Sequence, residues 1–387
     1  MKKIIMTIFT VLYVLLFFPA GYISVSAQDQ QDITAEEINE ELSDITDEIN
    51  GELRDALDEQ SEDLWEQQNF SAGDPDSITG IKPQSVFKKL LSYFTDVIKE
   101  PVVMLGKILA VSIVYAALKS MYLESGPAER TYGVICVLCI IIVMSDTVSG
   151  SFESLRDGIE SINRFMTAYI PVFAASAAAG GHAAAAGCYS ASTLFVCEGA
   201  ALVSSKLLLP FLSAVMAVTV VSAVNPRLKF AGVADSVKKL TTWLLATLMI
   251  IFVGLMALQG VTGSAADNLT YRTLRFAAAS FIPVIGNSVS EAFLAVKGGM
   301  GVISSTTGAI GVIVVFVTAV KPFLSLLAIK LCIWLGRISN DLLGITETSE
   351  FLRNTNSVLS IGLSILIAFS SAFIISTAVV MASAGGI

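Results

Sequence analysis

Residues 240–286 read LTTWLLATLMIIFVGLMALQGVTGSAADNLTYRTLRFAAASFIPVIG, and this stretch decides the class of fold. Its first half, 240–261, is an apolar run of the length that crosses a bilayer as a helix, about 20 residues. Its second half, 259–286, sets Asp267, Asn268, Arg272 and Arg275 after that run and ends on Pro283 and Gly286. Charge and irregular backbone between apolar spans are costly near a bilayer unless protein or water surrounds them. The expectation is a polytopic helical membrane protein whose least generic part is this polar interruption. The interruption itself reads as a re-entrant loop held by a polar clamp, or as the lining of an aqueous path.

The rest of the chain fits that class. Its 387 residues are 54% hydrophobic and only 15% charged, where a soluble domain carries roughly 25% charged residues. Apolar runs of sufficient length lie at 102–121, 132–149, 207–224, 240–261, 302–320 and 357–383. Weaker ones lie at 166–185, 188–205, 276–296 and 322–338. The predicted fold is an all-α polytopic membrane protein. It has seven to nine membrane helices over 102–387, with one or two weak segments re-entrant or interfacial.

The N-terminal part is different material. Lys2 and Lys3, the apolar core Ile4 to Phe18, and the small residues Val25-Ser26-Ala27 form a secretory signal over 1–27. Residues 28–83 follow as an acidic segment outside the membrane; 28–82 hold eighteen Asp or Glu against Arg54 and Lys82. The net charge of −9 is concentrated there. Within it Ile38, Leu42, Ile45, Ile49, Leu53 and Leu57 recur at helical spacing, one apolar stripe on a helix. That stripe packs on the protein's own body or docks a partner. Residues 84–101 form an amphipathic helix with Lys88 and Lys89 opposite an apolar face, suited to the membrane surface.

Charge sets the orientation. With Gln28 outside, the span at 102–121 ends inside near Lys119 and Arg130. Counting 166–185, 188–205 and 207–224 as three spans returns the chain inside, to Arg227, Lys229, Lys238 and Lys239. The span 240–261 then carries 259–286 to the outer face. Beyond residue 297 the charges no longer fix the parity.

Chemistry-bearing residues are few. The single histidine, His182, removes paired-histidine metal sites; it lies in a run of alanines and glycines that lets helices approach closely. Cys136 and Cys139 have C-x-x-C spacing inside an apolar run and read as buried small hydrophobes. P-loop and dinucleotide fingerprints are missing, and basic patches with interleaved aromatics are missing too, so cofactors and nucleic acid are not expected. Glu198 and Lys206, eight residues apart, share a face of a continuous helix. Each is either part of a membrane site or snorkels at a helix end. Lys330 is semi-buried and calls for an acidic partner. Asp267 pairs with Arg272 if the chain turns at Asn268, and Arg272 and Arg275 share a helix face. No catalytic set emerges.

Around this stretch the sequence resembles the stage III sporulation protein AE family of endospore-forming bacteria. The resemblance rests on Gln259-Gly260, Asp267, Thr270, Arg272-Thr273, Phe276 and Phe281-Ile282-Pro283-Val284-x-Gly286. It rests also on Ile170-Pro171 and the small-residue run to Gly180-Gly181. It implies a non-enzymatic component of a secretion-like channel between mother cell and forespore, needed for late forespore gene expression. It further implies partners: other stage III sporulation proteins with a separate ATPase, stage II sporulation protein Q on the forespore side, and membrane lipid. The location it implies is the mother-cell membrane around the forespore, with the acidic segment in the intermembrane space. Asp267, Arg272, Arg275, Pro283, Glu198, Lys206 and His182 become candidate channel or assembly residues. A second reading is an ion-coupled transporter acting alone, since Ile170-Pro171 and Ile282-Pro283 echo each other beside small residues.

Overall fold

The computed structural model describes residues 35–68, 70–79, 83–122, 127–224, 232–281 and 286–384. The signal sequence and Pro283 lie outside the described residues. The elements are α1 (Ala35–Asp55), α2 (Glu59–Gln68), α3 (Asp76–Thr79), α4 (Pro83–Val97), α5 (Lys99–Tyr122) and α6 (Pro127–Ala177). A π-helical turn (Ala178–His182) leads to α7 (Ala183–Leu202), and a second (Val203–Leu207) to α8 (Leu208–Val224). Then come α9 (Val233–Phe281), α10 (Gly286–Leu342) and α11 (Thr346–Ala384). Every described element is helical.

Five helical runs are long and apolar enough to cross a membrane, by length and composition: 91–121, 131–224, 233–270, 296–342 and 346–382. The expected seven to nine separate spans are gathered into these five for local reasons. Segment 132–149 and residues 166–177 lie in one helix, α6, and the charges between them pair along it. Arg156 reaches Glu160 (3.7 Å) and Arg164 reaches Glu160 (3.9 Å), both at i,i+4. Pro171 and Pro322 sit inside continuous helices. Segments 188–205 and 207–224 join through the second π-turn without reversal, since its flanking residues keep right-handed helical dihedrals.

The run 131–224 does reverse once, at Gly181 (φ 88°, ψ 18°), a left-handed conformation favouring glycine. Beyond it α7 and α8 run back along α6. Phe173 and Tyr189 meet edge-to-face at 5.1 Å, and Glu160 and Thr167 line one groove with Ser204 and Ser205. The other neighbours follow from named contacts. α10 is antiparallel to α6, with Gly158 against Pro322 and Gly311 against Tyr169. α11 is antiparallel to α10, through Lys330–Ser360 and Ser349–Asp341. α9 is parallel to α11, through Asp235–Ser357 (3.1 Å) and Gly260 against Val379.

The turn from α10 to α11 closes with Gly344 at φ 70° and the Ile345 N–H on Asn340 O (2.9 Å), a left-handed cap. Lys119 at the end of α5 donates to Gly344 O (3.3 Å). The α5 end and the α10–α11 turn therefore share one end of the bundle.

The core of the other half is an aromatic column on α6. Phe165, Tyr169 and Phe173 stack at i,i+4 with centroids 5.4 and 5.5 Å apart. Gly308 and Gly311 of α10 face it.

The acidic segment packs on its own body. Ile49, Leu53, Trp65 and Phe70 are buried, and Leu42 meets Gly299 of α10. Ser61 Oγ hydrogen-bonds Thr318 Oγ1 at 3.0 Å across the contact. The apolar stripe is thus already occupied, while Glu40, Glu41, Asp44, Asp47, Glu48, Glu52 and Asp55 face outward. The exposed pair Arg54–Glu66 (2.6 Å) adds little stability. Leu53 is 1% exposed, and burying a leucine is worth about 2 kcal/mol. Leu53→Asp should release this segment. A glutamate-specific protease should then cut within 35–68 many times faster than in wild type, with cutting elsewhere unchanged; equal rates would show that the stripe does not hold it.

Candidate functional site

The polar interruption at 259–281 is not a loop. α9 runs unbroken through it to Phe281; Gly260 and Gly263 are held within the helix, each packed against a neighbouring helix. The backbone break lies instead at 178–182, about ten residues after Pro171. Gly180 and Gly181 remove the Cβ atoms that would oppose it. Gly180 lies against the Gly301 backbone, and the Lys297 side chain lies against Gly181.

These two features meet. α7 starts at Ala183 with His182 as its N-cap residue, and His182 makes no side-chain cap. The cap comes from α9. The Ala184 N–H donates to Asp267 Oδ1 (2.9 Å) and the Ala185 N–H to Asp267 Oδ2 (3.2 Å). These are the second and third helical N–H groups, the ones an N-cap side chain ordinarily serves. A carboxylate there also meets the positive end of the α7 dipole. Asp267 is 8% exposed, so water cannot easily replace it.

One turn earlier on α9, Gly263 makes the approach possible. A Cβ there would fall 2.8 Å from Ala185 Cα and 3.0 Å from Ala185 N. One further turn down, Gln259 Oε1 accepts from Ser192 Oγ at 2.6 Å. The sequence therefore specifies a three-rung contact, Asp267, Gly263 and Gln259, between α9 and the start of α7.

The other candidates fall out as follows. Arg272 is exposed on α9 and forms no ion pair with Asp267, whose oxygens go to backbone N–H groups; the pairing conditional on a turn at Asn268 does not arise. Arg275 shares α9, and its side chain lies outside the described part. His182 stands at the break with Nδ1 buried and without a hydrogen-bond partner. Glu198 and Lys206 are both exposed, and the π-turn between them shifts their phase, so they do not form one site. Neither lines the groove formed by Glu160, Asn163, Arg164, Thr167, Ser204 and Ser205. Cys136 is buried near Thr348, Cys139 is exposed, and both are free thiols. Among the described residues no group of three or more His, Cys, Asp or Glu is placed to hold a metal ion.

The residues missed by sequence reasoning are Gly263, Ala184 and Ala185. Gly263 four residues before Asp267 was a legible sign of close helix approach. The two alanines were not legible, since their contribution is backbone.

Comparison with known proteins adds the following. Residues 75–384 match the family described as Stage III sporulation protein AE. The stage III sporulation protein AE of Bacillus subtilis (strain 168) is 26% identical over 252 residues, 64% of this chain and 62% of that relative. The match thus spans less than two thirds of the relative's length. No solved structure matches.

Proposed function

The chain belongs to the stage III sporulation protein AE family, and on that premise we propose that it is a non-enzymatic subunit of a channel complex linking mother cell and forespore. The observation that carries the proposal is the family match, which covers α3 to α11. Charge supports an orientation. Lys119, Arg337 and Arg353 cluster around the α10–α11 turn, and Lys238 and Lys239 open α9, as cytoplasmic ends do. Leu42 of the acidic segment meets Gly299, in the half of α10 away from that turn, which supports an outer position for the segment.

Length supports a projection from the membrane. α6 has 51 residues, roughly 77 Å at 1.5 Å per residue, against an apolar layer of about 30 Å. In this reading the charged turns at 153–164 mark where α6 leaves the bilayer, and the break at Gly181 with its Asp267 cap lies in the intermembrane space. Partners would be the other stage III sporulation proteins, including a separate ATPase, and stage II sporulation protein Q. An external ATPase suits a chain without a P-loop.

The test is a clean deletion in the host. Growth should be normal and spore formation should stop after engulfment; a normal spore yield would remove the proposal.

A solitary ion-coupled transporter has one observation in its favour, the discontinuous helix at Gly181. Its N-terminus, however, is filled by the chain's own carboxylate, and Glu198 and Lys206 stand apart on the surface. Substrate uptake by purified protein in liposomes would favour this second reading.

A further inference from the structure

α5 is the helix whose length matches a single bilayer. Its apolar residues 102–121 make about 30 Å at 1.5 Å per residue, with Lys99 and Glu100 at one end and Lys119 at the other. α6 runs antiparallel beside it. Gly133 lies against the Tyr115 hydroxyl, and Asp146 comes level with the start of α5. There the two helices form an open groove of about 510 Å³, whose lining includes Lys99, Glu100, Val103, Lys107, Val143 and Asp146.

Lys107 and Asp146 fall inside the apolar runs 102–121 and 132–149. A charged side chain in such a run ordinarily faces the protein interior or pairs. Both are exposed instead. Lys99 is engaged with Asp96 at 2.9 Å. Lys107, Glu100 and Asp146 form no ion pair, with one another or with any other described residue. The groove therefore holds one ammonium and two carboxylates apart, each unspent at the edge of an apolar layer. Helical side chains lean toward the N-terminus, so Lys107 leans toward the end of α5 that carries Glu100.

Beyond the groove the same two faces turn apolar. Ala110 and Val114 follow Lys107 at three and seven residues, and Ile142 and Ile135 precede Asp146 at four and eleven; all four are exposed. Since the helices are antiparallel, both rows run side by side from the charges toward the opposite edge.

We propose that this groove binds an aminophospholipid of the surrounding leaflet. Lys107 holds its phosphate, Glu100 and Asp146 accept N–H groups from its terminal ammonium, and its acyl chains lie along the two apolar rows. A choline headgroup has no N–H to donate, and a glycerol headgroup carries no positive charge, so two carboxylates beside one lysine select a primary ammonium. A soluble zwitterion would satisfy the charges and leave the apolar rows uncovered.

The experiment places the full chain, one copy per disc, in phosphatidylcholine nanodiscs carrying a minor share of phosphatidylethanolamine or of phosphatidylglycerol, and reads thermal unfolding. Phosphatidylethanolamine should raise Tm by several degrees over phosphatidylcholine alone, and phosphatidylglycerol should not match it. Glu100→Gln combined with Asp146→Asn should remove the increment, and Lys107→Arg should keep most of it. Equal Tm with ethanolamine and choline lipids, a phosphatidylglycerol rise as large as that of phosphatidylethanolamine, or an undiminished increment in the double variant overturns the proposal. An increment that appears only with two chains per disc makes this face a contact between copies and overturns it too. If the double variant does not fold, Lys107→Met reads the same: a reduced increment supports the site and an undiminished one overturns it.

Discussion

Asp267→Ala lowers the stability of the helical body by about 2 kcal/mol, the upper end for a lost N-cap, because it leaves one buried and one part-buried donor without an acceptor. The Ala184 and Ala185 amides are the two concerned. No neighbour replaces the carboxylate, since His182 at the N-cap position makes no side-chain cap. Thermal unfolding in detergent reads the loss, and hydrogen exchange at Ala184 and Ala185 locates it. Asp267→Asn keeps one carbonyl acceptor and should lose roughly a third to a half as much. Gly263→Val forces the same two helices apart, so combined with Asp267→Ala it should add little. If Asp267→Ala unfolds like a surface variant, with both amides still protected, the cap does not hold the break.

Gly311→Ala is expected to cost about 3 kcal/mol through overpacking alone. The added Cβ would stand 2.3 Å from Tyr169 Cζ and 2.5 Å from its Oη. Tyr169 has no room to yield. It is fully buried, stacked between Phe165 and Phe173, and donates to Thr307 O at 3.3 Å. Denaturation midpoints of the single variants and of Gly311→Ala with Tyr169→Ala test this. Once the ring is gone the clash is gone, so Gly311→Ala should be almost silent in the Tyr169→Ala background. Additive losses would show that Gly311 acts through something other than the ring.

The helices were legible in the sequence and their joins were not. Apolar runs announced where chain lies in a membrane, because hydropathy is local. Whether 132–149 and 166–185 are two spans or one depended on the residues between them. There the ladder Arg156, Glu160, Arg164 is a readable sign of continuous helix. The apolar stripe from Leu42 to Leu57 gave the acidic helix correctly but not its occupant, since a stripe has no address. Asp267 stood out in the sequence as a costly charge. Its acceptor role did not, because its donors are backbone amides 83 and 82 residues away, and any residue type could have supplied them.

The Asp267 cap also has a mechanical consequence. α7 begins at a break whose own N-cap residue offers no acceptor, and its first amides are tied to a different helix, not to the preceding chain. α7 therefore cannot shift without dragging α9 or uncovering those amides. α6 is fastened on its own account, through Tyr169 and Phe173 against Gly311 and Gly308 of α10. The break is a braced corner: the chain reverses there while each arm is held by a different neighbour.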